Sequence, residues 1–301
     1  MRRLLRDGLL LCAVLTTLAL PGQTLAAAWS EPRAVSGTSS ADVDQLVAVD
    51  ARTLVVEFGV FNDSRGPFYL TRSSNGGRSW SAATRVPYSH LSGGSGLLDR
   101  VWIERGRVLY ARSSDAGKTF GSARTLTPAN EYAGDADVAR GPDHRVAVVW
   151  RVRDGDTYSR LSVDDGATFG GAAVVAANNR LRLSDLAVSN SGIVATYFIG
   201  FRLIVKSSDA SGRHWDNRAE LSPYVDFESS IATDGERILI AYTQLASASD
   251  AARFEFVRYV DSNNGGTTWS SHQNLAPASW DTEQLDGRFR RHRFFGGIQP
   301  L

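Results

Sequence analysis

Short apolar runs separated by polar, glycine-containing turns recur along the whole chain. Three clear examples lie at 146–150, 193–197 and 238–242, where β-branched and aromatic residues stand between turns rich in Gly, Asp and Asn. Such runs are typical of β-strands, because branched and aromatic side chains fit a pleated, half-buried surface. After residue 28, no segment has the 3.6-residue period of an amphipathic helix. The pattern therefore predicts an all-β fold.

One short pattern, Ser-x-Asp/Asn-x-Gly-x-x-Trp/Phe, follows many of these runs and occurs in five imperfect copies. They read SSNGGRSW at 73–80, SSDAGKTF at 113–120, SVDDGATF at 162–169, SSDASGRHW at 207–215 and SNNGGTTW at 262–269. The fourth copy carries one extra residue, Ser211, which predicts a wider turn. The aromatic ends are 40 to 54 residues apart. Repeats of short strands at this period indicate a propeller or a solenoid.

The residue types of the pattern suit a tight turn between two strands. An Asp or Asn side chain accepts hydrogen bonds from nearby backbone N–H groups, and Gly adopts the positive φ that such turns need. We expect the Ser hydroxyl to hold the other end of the turn and the aromatic ring to pack beneath it. The structural positions are Asn75, Asp115, Asp164, Asp209 and Asn264, with the rings of Trp80, Phe120, Phe169, Trp215 and Trp269. Asn in two copies keeps the acceptor and drops the charge, which indicates hydrogen bonding here and not acid–base or metal chemistry.

The copies resemble the Asp-box (BNR) repeats of sialidases and their non-sialidase relatives, over most of residues 29–277. The resemblance implies a β-propeller whose Asp boxes are structural and lie at the blade rim, away from the ligand pocket. In sialidases, the pocket at the propeller axis hydrolyses sialic acid glycosides. Three arginines bind the substrate carboxylate there, a Tyr–Glu pair is the nucleophile, and an Asp is the acid/base.

Four strands per repeat place five blades at about 38–88, 89–128, 133–178, 181–223 and 226–277. Residues 29–37 look like the stretch that follows each repeat, and they predict a partial further blade together with residues 278–301. Closing the ring in this way would remove exposed strand edges. We therefore favour a six-bladed type of propeller with an incomplete last blade. A five-bladed ring is the alternative.

The first 28 residues have the features of a signal peptide. Arg2, Arg3 and Arg6 precede an apolar run at 9–20, and small residues at 26–28 offer a cleavage site. The run is shorter than the roughly 20 residues of a membrane span. We therefore expect export, to the periplasm or outside the cell, with no transmembrane segment.

Composition narrows the chemistry of the mature chain. The single cysteine, Cys12, lies in the signal peptide, so cysteine nucleophiles and cysteine–zinc sites are excluded. A formal net charge of +1 gives no reason to expect a nucleic acid partner. The histidines have no metal-ligand spacing. We predict no metal and no cofactor, and we expect a monomer.

Propeller ligands bind at the axis, so polar residues where the innermost strands begin are the candidates for chemistry. The acidic candidates for catalysis are Asp44, Asp137, Asp185 and Glu228, and the candidates for ligand binding are Arg182 and His90. One carboxylate of raised pKa among them would be a general acid. Possible stacking or nucleophilic tyrosines are Tyr132, Tyr197, Tyr224 and Tyr242.

Two functions from different classes fit the sequence. The Arg-Ile-Pro motif that marks the first arginine in sialidases is absent. We therefore favour a binding module whose axial face holds a glycan, a cell-surface ligand or a protein. The alternative is an exo-sialidase that cleaves terminal sialic acid or a related sugar. A shared fold does not transfer activity between them.

Overall fold

The computed structural model describes residues 35, 41–60, 67–128, 131–153, 155–177, 182–215, 217–245 and 254–275. Their strands form five four-stranded antiparallel sheets, and each sheet is a meander in which strands adjacent in sequence are adjacent in space. None of the described residues lies in a helix, and accordingly none belongs to a helix that could cross a membrane.

The five sheets follow one another along the chain. The first contains β1 (Ala41–Ala48), β2 (Leu54–Val60), β3 (Phe68–Ser73) and β4 (Thr84–Val86). The second contains β5 (His90–Gly94), β6 (Leu97–Glu104), β7 (Arg107–Ser113) and β8 (Arg124–Thr125). The third contains β9 (Ala133–Arg140), β10 (Val146–Val152), β11 (Thr157–Ser162) and β12 (Ala173–Ala176). The fourth contains β13 (Arg182–Val188), β14 (Ile193–Ile199), β15 (Arg202–Ser207) and β16 (Asn217–Ser222). The fifth contains β17 (Val225–Asp234), β18 (Arg237–Leu245), β19 (Phe254–Ser262) and β20 (Gln273–Asn274).

The first strand of each sheet contacts the first strand of the next, in the order β1, β5, β9, β13 and β17. The sheets are therefore the blades of a β-propeller, and these five inner strands line its axis. The prediction of an all-β propeller is confirmed, and the described residues form five blades. The predicted signal peptide at 1–28 lies outside them, as does the predicted partial further blade from 29–37 and 278–301, residue 35 apart.

Apolar side chains fill the spaces between neighbouring blades. Each of the four core clusters joins two consecutive blades, as where Val149 of β10 and Ile193 of β14 share one cluster. The second strand of a blade is buried on both faces, so β10 reads as a continuous apolar run ending at the fully buried Trp150. Burying one such aliphatic side chain contributes about 1.5–3 kcal/mol. The blades are thus held together mainly by apolar packing.

The repeated turn joins the third and fourth strands of its blade. In the second copy, the Ser113 hydroxyl donates to Asp115 Oδ1 (2.7 Å) and accepts the N–H of Gly117 (2.8 Å). Asp115 Oδ1 also accepts the N–H of Thr119 at 2.8 Å. Gly117 has a φ of 84°, in the region that favours glycine. The same three bonds recur in the first, third and fifth copies.

The fourth copy makes a different set of bonds because of its extra residue. The Ser207 hydroxyl is buried and has no hydrogen-bond partner among the described residues. The next residue, Ser208, accepts the N–H of Ile193 at 2.9 Å instead. Asp209 Oδ1 accepts the N–H groups of Arg213 (3.1 Å) and His214 (3.4 Å). The insertion therefore widens the turn and leaves one hydroxyl unused.

The aromatic ends of two copies pack against the preceding blade. The Phe169 ring meets Tyr110 edge-on, with 4.9 Å between the ring centroids. Trp215 is buried, and its Nε1 donates to the Ser159 hydroxyl at 3.0 Å. The turn therefore fixes its own hairpin and also a contact between blades.

Replacing the first serine of a repeated turn is predicted to have an effect that depends on the copy. Ser113→Ala removes a buried hydroxyl that makes three hydrogen bonds, and we expect a loss of about 1–2 kcal/mol in the free energy of unfolding. Ser207→Ala removes a buried hydroxyl with no partner among the described residues, and we expect no loss or a small gain. Urea denaturation of both variants measures the difference. Equal losses would contradict these roles.

Candidate functional site

The inner strands begin at the end of the propeller opposite to the repeated turns. Adjacent strands in a blade are antiparallel, so the turns after the first and third strands share one end. The connections after the second and fourth strands share the other end. The connection from one blade to the next is short, as between β4, which ends at Val86, and β5, which starts at His90. Each inner strand therefore starts at this second end, which we call the axial face.

A group of titratable side chains from four inner strands lies near the axial face. His90, the first residue of β5, points its Nδ1 at Asp137 Oδ1 of β9, at 3.3 Å. Asp137 Oδ1 also accepts the N–H of Val138 at 2.7 Å. Both side chains are partly accessible, at 17% and 15%. We call this group the axial cluster; its members are Asp44, His90, Asp135, Asp137 and Asp185.

Electrostatic coupling connects the members of the axial cluster. Burial alone would lower the pKa of His90, but the charge and hydrogen bond of Asp137, together with Asp135 and Asp44, raise it to about 9. Burial raises the pKa of Asp135, against the opposing charge of His90. His90 is therefore an imidazolium at neutral pH, held among carboxylates.

Asp185 belongs to the axial cluster and also connects two blades. Its Oδ2 accepts the N–H of Ile231 in β17 at 2.7 Å, and its Oδ1 accepts the N–H of Leu186 at 2.8 Å. Burial and the charge of Asp137 raise the pKa of Asp185 to about 7, against these two hydrogen bonds. Because both oxygens bind backbone, Asp185 is more constrained than Asp137.

Tyr197 of β14 contributes a hydroxyl beneath the axial cluster. The side chain is fully buried, and its hydroxyl has no hydrogen-bond partner among the described residues. Burial and the charge of Asp137 raise the pKa of Tyr197. The hydroxyl therefore stays protonated and can donate to an acceptor that reaches it.

A buried network lies beneath the part of the cluster near Asp44. Glu57 of β2 accepts the N–H of Ser89 at 2.9 Å and the hydroxyl of the same serine. Arg100 Nε donates to that hydroxyl at 2.9 Å. Burial raises the pKa of Glu57 to about 7, against the hydrogen bonds of Ser89 and the charge of Arg100. The network ties β2 to the start of β5.

Four of the axial candidates from the sequence meet in the structure: Asp44, His90, Asp137 and Asp185. Glu228 lies in β17, where the pairing with β18 is irregular between Val225 and Ser229, and its side chain is outside the described part. Arg182 is the exposed first residue of β13, and no described contact joins it to the cluster.

Two polar residues near the site, Asp135 and Glu57, were not among the predicted candidates, although the sequence pattern around each indicates a role. Asp135 stands two residues before Asp137, and alternate residues of a strand share one face. Glu57 is a lone carboxylate inside the apolar strand Leu54–Val60, and a buried charge needs partners. The ten predicted turn residues, from Asn75 to Trp269, lie in the repeated turns at the opposite end.

Exposed tyrosines surround the axial face. Tyr88, Tyr132 and Tyr224 stand just before β5, β9 and β17, and all three are exposed. The Tyr88 hydroxyl lies 3.3 Å from His90 Nε2, and its ring is 4.9 Å from that of Phe68. Tyr132 and Tyr224 are two of the four tyrosines that the sequence predicted as candidates. The other two, Tyr197 and Tyr242, are buried in second strands. The face thus combines carboxylates with aromatic surface.

Within the described ranges, no three His, Asp or Glu side chains are placed to hold a metal ion.

Solved structures share the propeller fold at low sequence identity. An ulvan lyase of a new polysaccharide lyase family is 12% identical, with a TM-score of 0.51 over 76% of this chain and 68% of the lyase chain. A sialidase from Trypanosoma rangeli is 15% identical, with a TM-score of 0.48 over 75% of this chain and 46% of its own. The NanB sialidase from Streptococcus pneumoniae is 17% identical, with a TM-score of 0.44 over 69% and 38%.

The likeness to the lyase shows a common fold alone, and the sialidase alignments are too loose to say more. No protein-family model matches the sequence. No curated protein matches it either.

The His90–Asp137 pair is predicted to make the free energy of unfolding decrease at alkaline pH. The pKa of His90 is about 9 in the folded protein against 6.5 for a free histidine. The stabilisation of the folded state by protonated His90 is therefore fully present below pH 6.5 and is lost as the pH rises through 9. We expect the free energy of unfolding to fall by about 1–3 kcal/mol between pH 7 and 9.5, and His90→Gln to remove most of this fall.

Urea denaturation at several pH values measures this effect. His144→Gln is the matched control, because His144 also contacts an aspartate, Asp165, but is 73% exposed. An unchanged pH dependence in His90→Gln would show that the pair has no such role.

Proposed function

We propose that this protein is an exported Asp-box propeller that binds a neutral or amine-bearing glycan at its axial face. The observation that carries the proposal is the axial cluster, in which a protonated His90 is held among aspartates close to exposed Tyr88. The Asp-box assignment is supported by the hydrogen bonds shared by four of the five repeated turns. Export is proposed from the sequence of residues 1–28 alone.

The chemistry of the axial face suits a sugar. Carboxylates accept hydrogen bonds from hydroxyl groups, and the side chains of His90 and Asp137 are partly accessible at this face. Exposed tyrosines offer rigid, amphipathic contact surface at low entropic cost. Polar groups of fixed orientation beside aromatic surface are the usual composition of a small-ligand site.

The charge of the cluster disfavours an anionic sugar. Four aspartates belong to it, and the cations that act on their carboxylates include His90 and Arg151. A ligand carboxylate would meet mostly like charge, which costs binding free energy. A neutral saccharide avoids this repulsion, and a protonated amine on the sugar would be attracted to the carboxylates.

A sialidase-type hydrolase is the second candidate. The observation that favours it is the raised pKa of Asp185 near a second carboxyl group, Asp137, because glycosidases use a pair of carboxyl groups, one of which is the general acid. Two observations weigh against it. Both Asp185 oxygens bind backbone N–H groups, and the three arginines that sialidases need have no counterpart among the described cluster residues.

A glycan array probed with the protein lacking residues 1–28 tests the proposal. We expect binding to neutral or amino sugars, weakened at least about tenfold by Asp137→Asn and by Tyr88→Ala. The matched control is Asp115→Asn in a repeated turn, where two other copies naturally carry Asn. This variant should bind like the unmodified protein.

A fluorogenic sialoside assay separates the two candidates. Turnover that disappears in Asp137→Asn would replace the binding proposal with the hydrolase. Binding that is equally weakened by Asp115→Asn would place the ligand away from the axial face.

A further inference from the structure

We propose a second binding site, for an oxyanion carried by an acidic saccharide, in a cleft between the second and third blades. The cleft has a volume of about 310 Å³, and its lining includes Arg112, Arg124, Gly121, Ser122 and Gly166. It lies at the end of the propeller that carries the repeated turns, opposite to the axial cluster. This proposal is therefore independent of the axial site.

Two arginines of the second blade bind one turn of the third blade. Arg112 Nη1 donates to the carbonyl of Asp165 at 2.6 Å. Arg124 Nη1 donates to the carbonyl of Ala167. Because these carbonyls are two residues apart in the turn at 165–167, the two guanidinium groups are held close together. These hydrogen bonds thus fix both guanidinium groups before any ligand binds.

The floor of the cleft is rigid. Gly166 packs so closely on Tyr110 that a Cβ at this position would lie 1.8 Å from the tyrosine hydroxyl. Tyr110 is itself buried and donates to Asp99 at 2.5 Å. Gly166 therefore approaches Tyr110 this closely because it lacks a side chain, and the position of this part of the floor does not depend on a mobile side chain.

The charges of the cleft favour an anion. A guanidinium group has five N–H donors, and each arginine uses one nitrogen on the turn. Within the described part of the chain, neither Arg112 nor Arg124 forms an ion pair. Three carboxylates around the cleft are already bound: Asp99 by Arg140 and Tyr110, Asp165 by Arg140 and His144, and Asp164 by Thr168.

Guanidinium forks match the geometry of sulfate, carboxylate and phosphate groups. The volume is at the lower end of the range for small-molecule sites, so it suits one charged group with part of one sugar ring. The ligand we infer is therefore a sulfate or carboxylate group on a saccharide.

The first blade supplies a matched control. Arg85 pairs with Tyr69 in that blade as Arg124 pairs with Tyr110 in the second. Arg72 donates to the carbonyl of Ala116 at 2.6 Å, which corresponds to the bond of Arg112. Among the described residues, however, Arg85 makes no hydrogen bond to that turn. Arg85→Gln therefore removes the same charge at the same end without touching the cleft.

Calorimetric titration with a short dextran sulfate oligomer tests the site. We expect Arg124→Gln to weaken binding at least about tenfold and Arg85→Gln to change it less than about twofold. Arg112→Lys keeps the charge but loses the fork, so it should also weaken binding, by about fivefold or more. Asp137→Asn at the axial face should have no effect.

Two further ligands identify what the site recognises. Neutral dextran of the same length should not bind, and sodium sulfate should compete weakly with the sulfated oligomer. Equal binding of neutral dextran, or an equal loss in Arg85→Gln, would overturn the proposal. In the unmodified protein, sulfate should shift the Nε–H resonances of Arg112 and Arg124 more than that of Arg85, and equal shifts would also overturn it.

Discussion

Polar side chains of three inner strands, β1, β5 and β13, bind the backbone of the next blade, and the axis of the propeller depends on these bonds. Gln45 of β1 donates to the carbonyl of Ser89 at 2.9 Å and accepts the N–H of Leu91 at 2.7 Å. The Ser92 hydroxyl of β5 accepts the N–H of Arg140 at 2.8 Å. Neighbouring inner strands belong to separate sheets, so their facing N–H groups would otherwise be buried without partners.

The need to pair backbone N–H groups between blades explains why charged groups lie near the axis. It also gives Asp185 and Asp137 different roles. Asp185 accepts the N–H of Ile231 in the next blade, and the energetic cost of burying it appears as its raised pKa. Asp137 instead binds the N–H of its own neighbour, Val138, and faces His90. Asp185 is therefore committed to the joint between two blades, whereas Asp137 and His90 remain partly accessible to a ligand.

The sequence predicts the strands and the fold class well, because both depend on local patterns. The apolar runs at 146–150, 193–197 and 238–242 became the second strands β10, β14 and β18, which are buried between blades. The site was only partly predictable, because its residues come from different blades. The repeat predicted that Asp44, His90, Asp137, Asp185 and Glu228 lie where inner strands begin. In the structure, His90 does begin β5, but Asp44, Asp137 and Asp185 lie inside β1, β9 and β13, because these strands start three or four residues earlier. Their coupling and the burial of Tyr197 depend on contacts between strands, which a single sequence does not specify.

The formal net charge of +1 conceals local differences in charge within the molecule. The inner strands bring the carboxylates of the axial cluster together around His90. At the opposite end, Arg72, Arg112 and Arg124 bind carbonyls of the repeated turns. The aspartates of those turns, such as Asp115 and Asp164, accept hydrogen bonds from within the turn. Net charge constrains the partners of a whole protein, but a ligand meets only a local field. The axial cluster and the cleft at Arg112 and Arg124 can therefore bind ligands of opposite charge without conflict.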